Sequence, residues 1–522
     1  EKKIVTSDKK IRLRENILSD FKNSMKKSRI GFEKESIRIE NETISQKNHP
    51  IGLGSSLCNE FITTDFSEAQ LELVTPPYED KLKAIDFLDD IHHFVINHLN
   101  NEYLWPFSFP SDIEEENIRI ASYGISNKGK FKRLYRKGLS SRYGKLMQSI
   151  SGVHFNYSVP SDLWKNKAFQ ELKLEQKKSM RSELYLNMVR NIYRNNWLIL
   201  YLFGASPLLG MNFAAKDSKL FKKLDEKTLF MPYATSLRMS EYGYQNSDRS
   251  QTNVSLDTIE CYISDIRSAT SEPNEKFKDI DIEANDDLFQ ISENTLQIDD
   301  EYYAVARAKS SINILERTTS KLSYGGVDFI ELRSLDLDPF STLGISQETV
   351  YFLDLFMAHC FLKQEPPLSE DEKMNISNND SLVSKLGRMP NLKLTKNREE
   401  ISLNRWANDL LDDLFSIKEF IDDTSQNYSQ SLESMRERIN NTELTPSSMI
   451  LEQIHSRNIS YSNFGMEIAA NNKNYFLERN ISGNSNWNTL DSEAKKSILR
   501  QMEIESNDSQ TFQEYVDSYF SE

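Results

Sequence analysis

The sequence predicts an α+β protein in which helices surround a largely antiparallel sheet and a helical C-terminal region follows. Two observations support this class. Before residue 365, several segments alternate apolar and polar side chains with a period of two, and they lie among stretches with apolar residues at helical spacing. Beyond residue 400 only the helical spacing continues. We therefore expect a body over 1–365 and a mainly helical region over 366–522 that packs on it.

The elements can be assigned in chain order from these periods. Amphipathic or apolar helices are predicted at 11–29, 82–99, 168–203, 347–363, 404–423 and most of 430–520. Strands are predicted at 30–39, 66–75, 152–159, 296–307 and 327–335. Polar surface loops are expected at 216–228 and 270–287. Three prolines and weak periodicity favour a connecting segment over 364–400.

Composition and charge exclude several classes of protein. The chain has 522 residues, 64 Lys and Arg against 79 Asp and Glu, and a formal net charge of −15. An acidic surface repels nucleic acid and anionic lipid, so we expect neither as a partner. The longest apolar run, 197–210, is shorter than the ~20 residues that span a bilayer. Three widely separated cysteines (Cys58, Cys261 and Cys360) and the lack of an apolar leader favour a reducing cytoplasm.

Four predicted strands have one apolar face and one ionisable face. In the first, Glu33 and Glu35 point the same way, with carboxylates ~7 Å apart along the strand. The polar face of the second strand carries Glu68, Gln70 and Glu72. That of the third carries His154, and that of the fourth carries Glu331 and Arg333. A solvated sheet face explains any single strand. Adjacent glutamates repel one another, however, so four such strands together favour a compensating cation.

Divalent magnesium suits this pattern, because it prefers oxygen ligands and shares its shell with substrate phosphates. Glu33, Glu35, Glu72 and Glu331 could hold two or more ions, completed by Asp65 at a strand entrance and by His154. Arg333 could then reach a transferred phosphoryl group. A glycine-rich GxxxxGK[ST] phosphate loop does not occur in the chain.

A basic segment interrupts the acidic chain. Seven Lys and Arg residues occur between Lys128 and Arg142 with no acid among them. Two interpretations remain open: a solvated basic loop, or an electrostatic site for a nucleotide or acidic substrate, with Tyr135 and Tyr143 lining a pocket.

Six blocks of sequence resemble the proteobacterial type of glutamate–cysteine ligase, in the order in which that family has them. They are 31–38 (GFEKESIR), 62–72 (ITTDFSEAQLE), 147–156 (MQSISGVHFN), 201–207 (YLFGASP), 233–238 (YATSLR) and 325–336 (GGVDFIELRSLD). The resemblance covers roughly 12–365. Several long blocks in order are far more specific than one motif.

The resemblance implies the first step of glutathione synthesis. ATP would phosphorylate the γ-carboxylate of L-glutamate, and the amino group of L-cysteine would attack the γ-glutamyl phosphate. It also implies two or three Mg²⁺ ions, replaceable by Mn²⁺, and a curved sheet forming a funnel-like active site similar to the glutamine synthetase catalytic domain. We expect a monomer.

The blocks also imply roles for particular residues. The positions that match the family's magnesium sites are Glu33, Glu35, Asp65, Glu72, His154 and Glu331. Arg333 matches a catalytic phosphate-contacting arginine, and Arg238 a catalytic clamp for a substrate carboxylate. The positions that resemble the amino-acid pocket are Phe66, Tyr135, Leu139, Gln148, Ile150 and Tyr244, together with Arg238.

Three other functions would fit parts of this pattern. One is an ATP-dependent carboxylate–amine ligase with a different acceptor amine. The pocket residues would determine which amine is accepted. Another is an inert nucleotide-binding relative, against which the intact Glu33, Glu331 and Arg333 argue. The last is a metal-dependent hydrolase, which would turn over without ATP and would not need Arg238.

Overall fold

A computed structural model describes residues 7–111, 113–214, 219–243, 253–280, 283–284, 287–421 and 423–522. Its helices of eight residues or more are α1 Ser7–Ser24, α2 Lys81–Ile96, α3 Asn127–Tyr143, α4 Leu174–Phe203, α5 Ile259–Ala269, α6 Thr318–Gly325, α7 Gln347–Leu362, α8 Glu370–Leu386, α9 Leu403–Lys418, α10 Asn427–Asn440, α11 Pro446–Arg457, α12 Tyr461–Glu478, α13 Trp487–Asn507 and α14 Phe512–Ser521. None of the described helices has the length and apolar character needed to cross a membrane.

One antiparallel sheet forms the centre of the protein. Its main strands are β1 Arg29–Glu40, β2 Ile62–Thr64, β3 Gln70–Val74, β4 Val153–Ser158, β5 Ala306–Lys309 and β6 Phe329–Leu335. They lie in the order β5-β6-β4-β1-β3-β2, and two-residue strands at Thr43–Ile44 and Tyr103–Leu104 also pair with β1. The predicted α+β class with an antiparallel sheet is therefore confirmed.

The apolar face of this sheet explains why the strands form where they do. Alternate residues of the strands are fully buried in one core, and these are Phe32, Leu71, Leu73, Phe155, Tyr157, Ile330 and Leu332. Helices α2 and α4 pack on the sheet, and α7 packs on α4. Because the side-chain period of a strand is two, burying this set turns the intervening polar residues to the opposite face.

Several predicted elements need correction. The segment 364–400 contains α8 and a hairpin of Lys393–Lys396 with Glu399–Ser402, where we expected a connecting segment. The strand expected at 296–307 is confined to β5, after a short 3-10 turn at Asp299–Glu301. Leu296, Ile298 and Val305 are buried there without forming a ladder. Apolar content alone therefore overstated the extent of that strand.

The strand expected at 66–75 begins only at Gln70. A turn precedes it, in which the Gln70 amide donates to the Ser67 carbonyl. The turn directs Glu68 away from Glu72, and the Glu68 carboxylate accepts the backbone amides of His49 and Ser122. The shared face that the sequence predicted for Glu68 and Glu72 is therefore wrong.

The C-terminal helices pack against the part of the chain that contains the sheet. Helices α12 and α13 contact α2, and α14 contacts α3. Arg479, which follows α12, forms ion pairs with Asp89 and Asp90 of α2. The Lys473 ammonium of α12 donates to the Glu102 carbonyl at 2.8 Å. A division at residue 365 stays a prediction.

Candidate active site

A histidine lies among three carboxylates on the polar face of the sheet. His154 Nδ1 is 3.3 Å from Glu33 Oε2 and 3.3 Å from Glu331 Oε1, and Nε2 is 3.5 Å from Glu35 Oε1. Strand register produces this cluster: Glu33 of β1 is directly opposite His154 of β4. The neighbouring β6 places Glu331 opposite Asn156, which donates to Glu33 at 2.9 Å.

Charges around this histidine fix its protonation. Burial lowers the pKa of His154, but hydrogen bonds with Glu33 and Glu331 outweigh burial and raise it to about 9. Glu331 responds in the opposite direction. Burial raises its pKa, whereas Lys309, His154 and Arg333 together hold it well below its usual range. We infer that His154 is an imidazolium and Glu331 a carboxylate at neutral pH.

Two further carboxylates, Glu35 and Glu72, lie opposite each other on β1 and β3. Burial, and then the charge of Asp65, raises the pKa of Glu35 to about 7. Burial, and then the charges of Glu33, Asp65 and Glu35, raises that of Glu72 to about 8. The metal-free protein therefore holds protons here that a cation would displace.

These residues fit a divalent cation. Ligand atoms of Glu33, His154 and Glu331 all lie within 4.8 Å of one another. Among the described residues, Glu331 Oε2 and His154 Nε2 have no hydrogen-bond partner although both atoms are buried. Mutually repelling carboxylates with unpartnered buried atoms suit hard cations with oxygen ligands. Asp65, Glu35 and Glu72 line the same cleft.

The cleft measures about 780 Å³ and is lined by basic as well as acidic side chains. The basic residues are Lys128, Lys132, Arg136, Arg307, Lys309, Lys321 and Arg333. Lys128, Lys132 and Arg136 belong to α3, so the basic segment is a helix and the interpretation as a loop is wrong. Burial and the neighbouring Arg136 lower the pKa of Lys132 to about 8.

Two basic residues of the cleft, Arg307 and Lys309, were not predicted from the sequence. Both lie on β5, with Arg307 directly opposite Glu331, and Lys309 Nζ is 3.8 Å from Glu331 Oε2. Their spacing of two residues in the run ARAK was a usable signal for a shared basic face. The ion pair raises the pKa of Lys309, so this ammonium is charged at neutral pH.

The predicted amino-acid pocket residues do not all meet in the cleft. Phe66, Tyr135, Leu139 and Gln148 line it. Ile150 is fully buried in a separate apolar cluster with Phe109, Leu209 and Met231, among others. Tyr244 lies outside the described residues.

Arg238, the predicted clamp, is only 1% exposed and is not among the described residues that line the cleft. Its guanidinium donates to the Arg333 carbonyl at 3.2 Å and is 3.9 Å from Asp336. An added Cβ at Gly152 would be 2.2 Å from Arg238 Nη2, so glycine allows the close approach of this guanidinium. In this structure Arg238 supports the backbone of Arg333 from behind the cleft.

The final helix forms part of the cleft wall. Tyr515 and Tyr519 of α14 line the cleft and pack on Phe131 of α3, with ring centroids 5.7 and 4.8 Å apart. Asn127, at the start of α3, donates to the carboxylate of Asp508 at 2.7 Å. This contact was not predicted, because no motif in 366–522 pointed to the site.

The pKa of Glu72 leads to a prediction for the metal-free protein. A carboxyl group whose folded pKa is about 8, against an ordinary 4.5, favours folding below pH 4.5 and loses that advantage as the pH rises through 8. Glu72→Gln removes this titration. We expect the variant's melting temperature, relative to wild type, to rise progressively between pH 4.5 and 8 in EDTA. A constant difference across this range would contradict the pKa, and Glu60→Gln, at a solvent-exposed position, serves as control.

Known proteins resemble this chain over nearly its full length. The family model for glutamate–cysteine ligase matches residues 16–383. The glutamate–cysteine ligases of Alcanivorax borkumensis and Aliivibrio salmonicida are 38% and 37% identical over 502 and 499 residues, which cover 94% of this chain and 95% of each relative. The glutamate–cysteine ligase of Francisella tularensis, solved in complex with AMP, matches with a TM-score of 0.88 and 32% identity, over 95% of this chain and 98% of that one.

Fold, cleft and relatives together define the class of protein as an ATP-dependent ligase. The chain belongs to the glutamate–cysteine ligase family, as the six sequence blocks predicted. Its reaction is the ATP-dependent formation of γ-glutamylcysteine.

Proposed function

We propose that the ligation proceeds through a γ-glutamyl phosphate. A γ-carboxylate oxygen of L-glutamate attacks the γ-phosphorus of ATP, and ADP leaves. The amino nitrogen of L-cysteine then attacks the γ-carbonyl carbon, loses a proton, and displaces inorganic phosphate. Phosphorylation is needed because a free carboxylate is a poor acylating agent at neutral pH.

The observation that carries this proposal is the cluster of Glu33, His154 and Glu331 beside Arg333, in a cleft that is also lined by lysines and arginines. Joining an anionic carboxylate to a polyphosphate brings several negative charges together. Positive groups fixed in the site lower that barrier most when the charge they meet grows in the transition state. Arg333, Lys309 and Lys132 would meet the phosphoryl oxygens.

The acidic residues would hold the metal. Five carboxylates and one histidine would together bind two or three Mg²⁺ ions, with Mn²⁺ as a substitute. These residues are Glu33, Glu35, Asp65, Glu72, Glu331 and His154. Bound magnesium supplies charge neutralisation and orientation of the phosphates. His154 would lose its proton when it acts as a ligand, so metal binding should release protons.

The amino-acid substrates would occupy the part of the cleft near Phe66, Tyr135, Leu139 and Gln148. Ile150, which is buried in a separate apolar cluster, would contribute through packing and not through contact with the substrate. Arg238 would then act mainly by holding the Arg333 backbone, although its predicted role as a carboxylate clamp remains compatible with a contact made when substrate binds. The sheet would form the funnel expected for a fold similar to glutamine synthetase, in a cytoplasmic monomer.

An isotope experiment tests the intermediate. L-Glutamate labelled with ¹⁸O in its γ-carboxylate is converted with ATP, Mg²⁺ and L-cysteine, and the released phosphate is analysed by mass spectrometry. Phosphoryl transfer to the carboxylate moves one ¹⁸O atom into each phosphate. Phosphate without label would contradict the γ-glutamyl phosphate, while leaving the ligase assignment intact.

Nucleotide binding should depend on the metal. We expect ATP with Mg²⁺ at a hundredfold excess over Kd to stabilise the protein by about 2.7 kcal/mol. ATP in EDTA should stabilise it much less, because the carboxylates repel the phosphates unless a cation lies between them. Thermal melts compare the two conditions, with Mg²⁺ alone as control. Equal shifts with and without metal would argue against a metal-bridged phosphate site.

A further inference from the structure

A second cavity of about 290 Å³ lies between α4, α8 and the segment 302–305. Its buried walls are aromatic and aliphatic and include Val254, Leu256, Tyr302 and Val305. The polar residues at its exposed rim are Asn253, Asp257, Lys373 and Ser377. A small apolar cavity with few polar groups is the usual form of a small-molecule site.

Of the two carboxylates along this cavity, Asp257 lies at the exposed rim and Asp380 is buried. Asp380 of α8 is 3% exposed, and its Oδ2 accepts a hydrogen bond from Asn196 at 2.8 Å. Within the described part of the chain, the buried Oδ1 has no hydrogen-bond partner, and no charged side chain pairs with Asp380. Burial raises the pKa of this group to about 7, and the hydrogen bond from Asn196 partly offsets this rise.

The surroundings of Asp380 suit an organic cation. An isolated buried carboxylate is costly, and an ammonium group with an attached apolar body would offset that cost and fill the apolar walls. Tyr193, Tyr302 and Tyr303 all line the cavity, and tyrosine rings attract a cation through their faces. Lys373, at the rim, is already paired with Glu370 at 2.8 Å.

We propose that this cavity binds a small organic ammonium, with Asp380 as counter-ion and the tyrosines around its apolar body. The site is separate from the cleft but adjacent to it. Tyr303 lines both spaces. The Val305 carbonyl accepts the Arg333 amide at 2.8 Å, so the segment that the ligand would touch also fixes a cleft arginine.

Binding of benzylammonium tests the proposal, with benzyl alcohol as a neutral ligand of similar shape. Calorimetric titrations use the full chain with saturating Mg²⁺ and ADP, so that the acidic cleft is occupied. We expect benzylammonium to bind at least about tenfold more tightly than benzyl alcohol, and Asp380→Asn to abolish that preference. Equal affinity for the two ligands, or no detectable benzylammonium binding, would overturn the proposal.

Two variants locate the binding. Ile376→Trp, which would fill the cavity without altering Asp380, should block benzylammonium, and it serves as the test if Asp380→Asn does not fold. Glu72→Gln, which alters a cleft carboxylate, should leave benzylammonium binding unchanged. Loss of binding in Glu72→Gln with retention in both cavity variants would assign the cation to the cleft and refute this site. The ¹⁸O experiment tests only the γ-glutamyl phosphate, so its result does not affect the conclusion about this cavity.

Discussion

Glu331→Gln should abolish ligation and also destabilise the metal-free protein. Glu331 is 2% exposed, and it is surrounded by His154 at 3.3 Å, Lys309 at 3.8 Å and Arg333 at 3.9 Å. The neutral amide leaves these positive groups uncompensated, which we expect to cost about 1–3 kcal/mol of unfolding free energy at pH 7. Loss of a metal ligand and of this charge should lower kcat by at least about 10²-fold.

The pH dependence of this loss has a defined sign. The folded-state pKa of Glu331 lies well below 4.5, so its contribution to stability is fully present above 4.5 and disappears as the pH falls through the folded value. Melts of wild type and Glu331→Gln in EDTA should therefore differ at pH 7 and converge in acid.

Glu72→Gln is the matched comparison for Glu331→Gln. It should also abolish ligation, but it should raise the melting temperature at neutral pH, because burial and then the charges of Glu33, Asp65 and Glu35 disfavour the Glu72 carboxylate. If both variants shifted the melting temperature in the same direction, the charge assignment within the site would be wrong. Full activity in both variants would refute the metal-ligand roles.

Arg333→Ala should lower kcat by about 10²–10³-fold while changing the KM for L-glutamate little. The side chain lines the cleft and is 17% exposed. Two hydrogen bonds fix the backbone of Arg333: its amide donates to the Val305 carbonyl, and its carbonyl accepts from Arg238. Neither bond requires the Arg333 side chain. The fold should therefore survive, and the loss should fall on the step in which phosphoryl charge develops.

Arg238 provides the contrast. Arg238→Ala should reduce stability as well as activity, because it leaves buried Asp336 without its guanidinium partner. Steady-state kinetics and melts of both variants separate the two roles. A stable Arg238→Ala variant with a raised KM and unchanged kcat would favour the clamp predicted from the sequence. A raised KM without a change in kcat in Arg333→Ala would show that this arginine only binds substrate.

Much of the sheet was predictable because its signal is local. The alternation in β1, β4 and β6 has one solution that buries Phe32, Phe155 and Ile330, and that solution fixes where Glu33, His154 and Glu331 point. Which strands are neighbours depends on long-range pairing, and the strand order was not predicted from the sequence. The predicted glutamate–cysteine ligase family is confirmed, while the residue roles stay predictions.

What the sequence did not reveal depends on tertiary contacts. Helix α8 was missed because its polar and apolar residues are mixed, and because the prolines before it suggested a loop. Arg238 matches a family position by sequence, but only the packing beneath Gly152 shows that it is buried. Lys309 belongs to the site because it pairs with Glu331 on the adjacent strand. Such pairings arise from fold geometry and have no counterpart in local composition.

The wall that α14 adds to the cleft affects how the protein is made. Asn127 and Asp508, which join α3 to the segment before α14, are separated by 381 positions. At a synthesis rate of about 5–20 residues per second, roughly 20 to 80 s pass between their appearances on the ribosome. Throughout that interval Phe131 of the nascent chain lacks the two tyrosines that pack on it in the folded protein. Cellular chaperones that shield apolar surface would therefore have an opportunity to bind this protein before α14 is made.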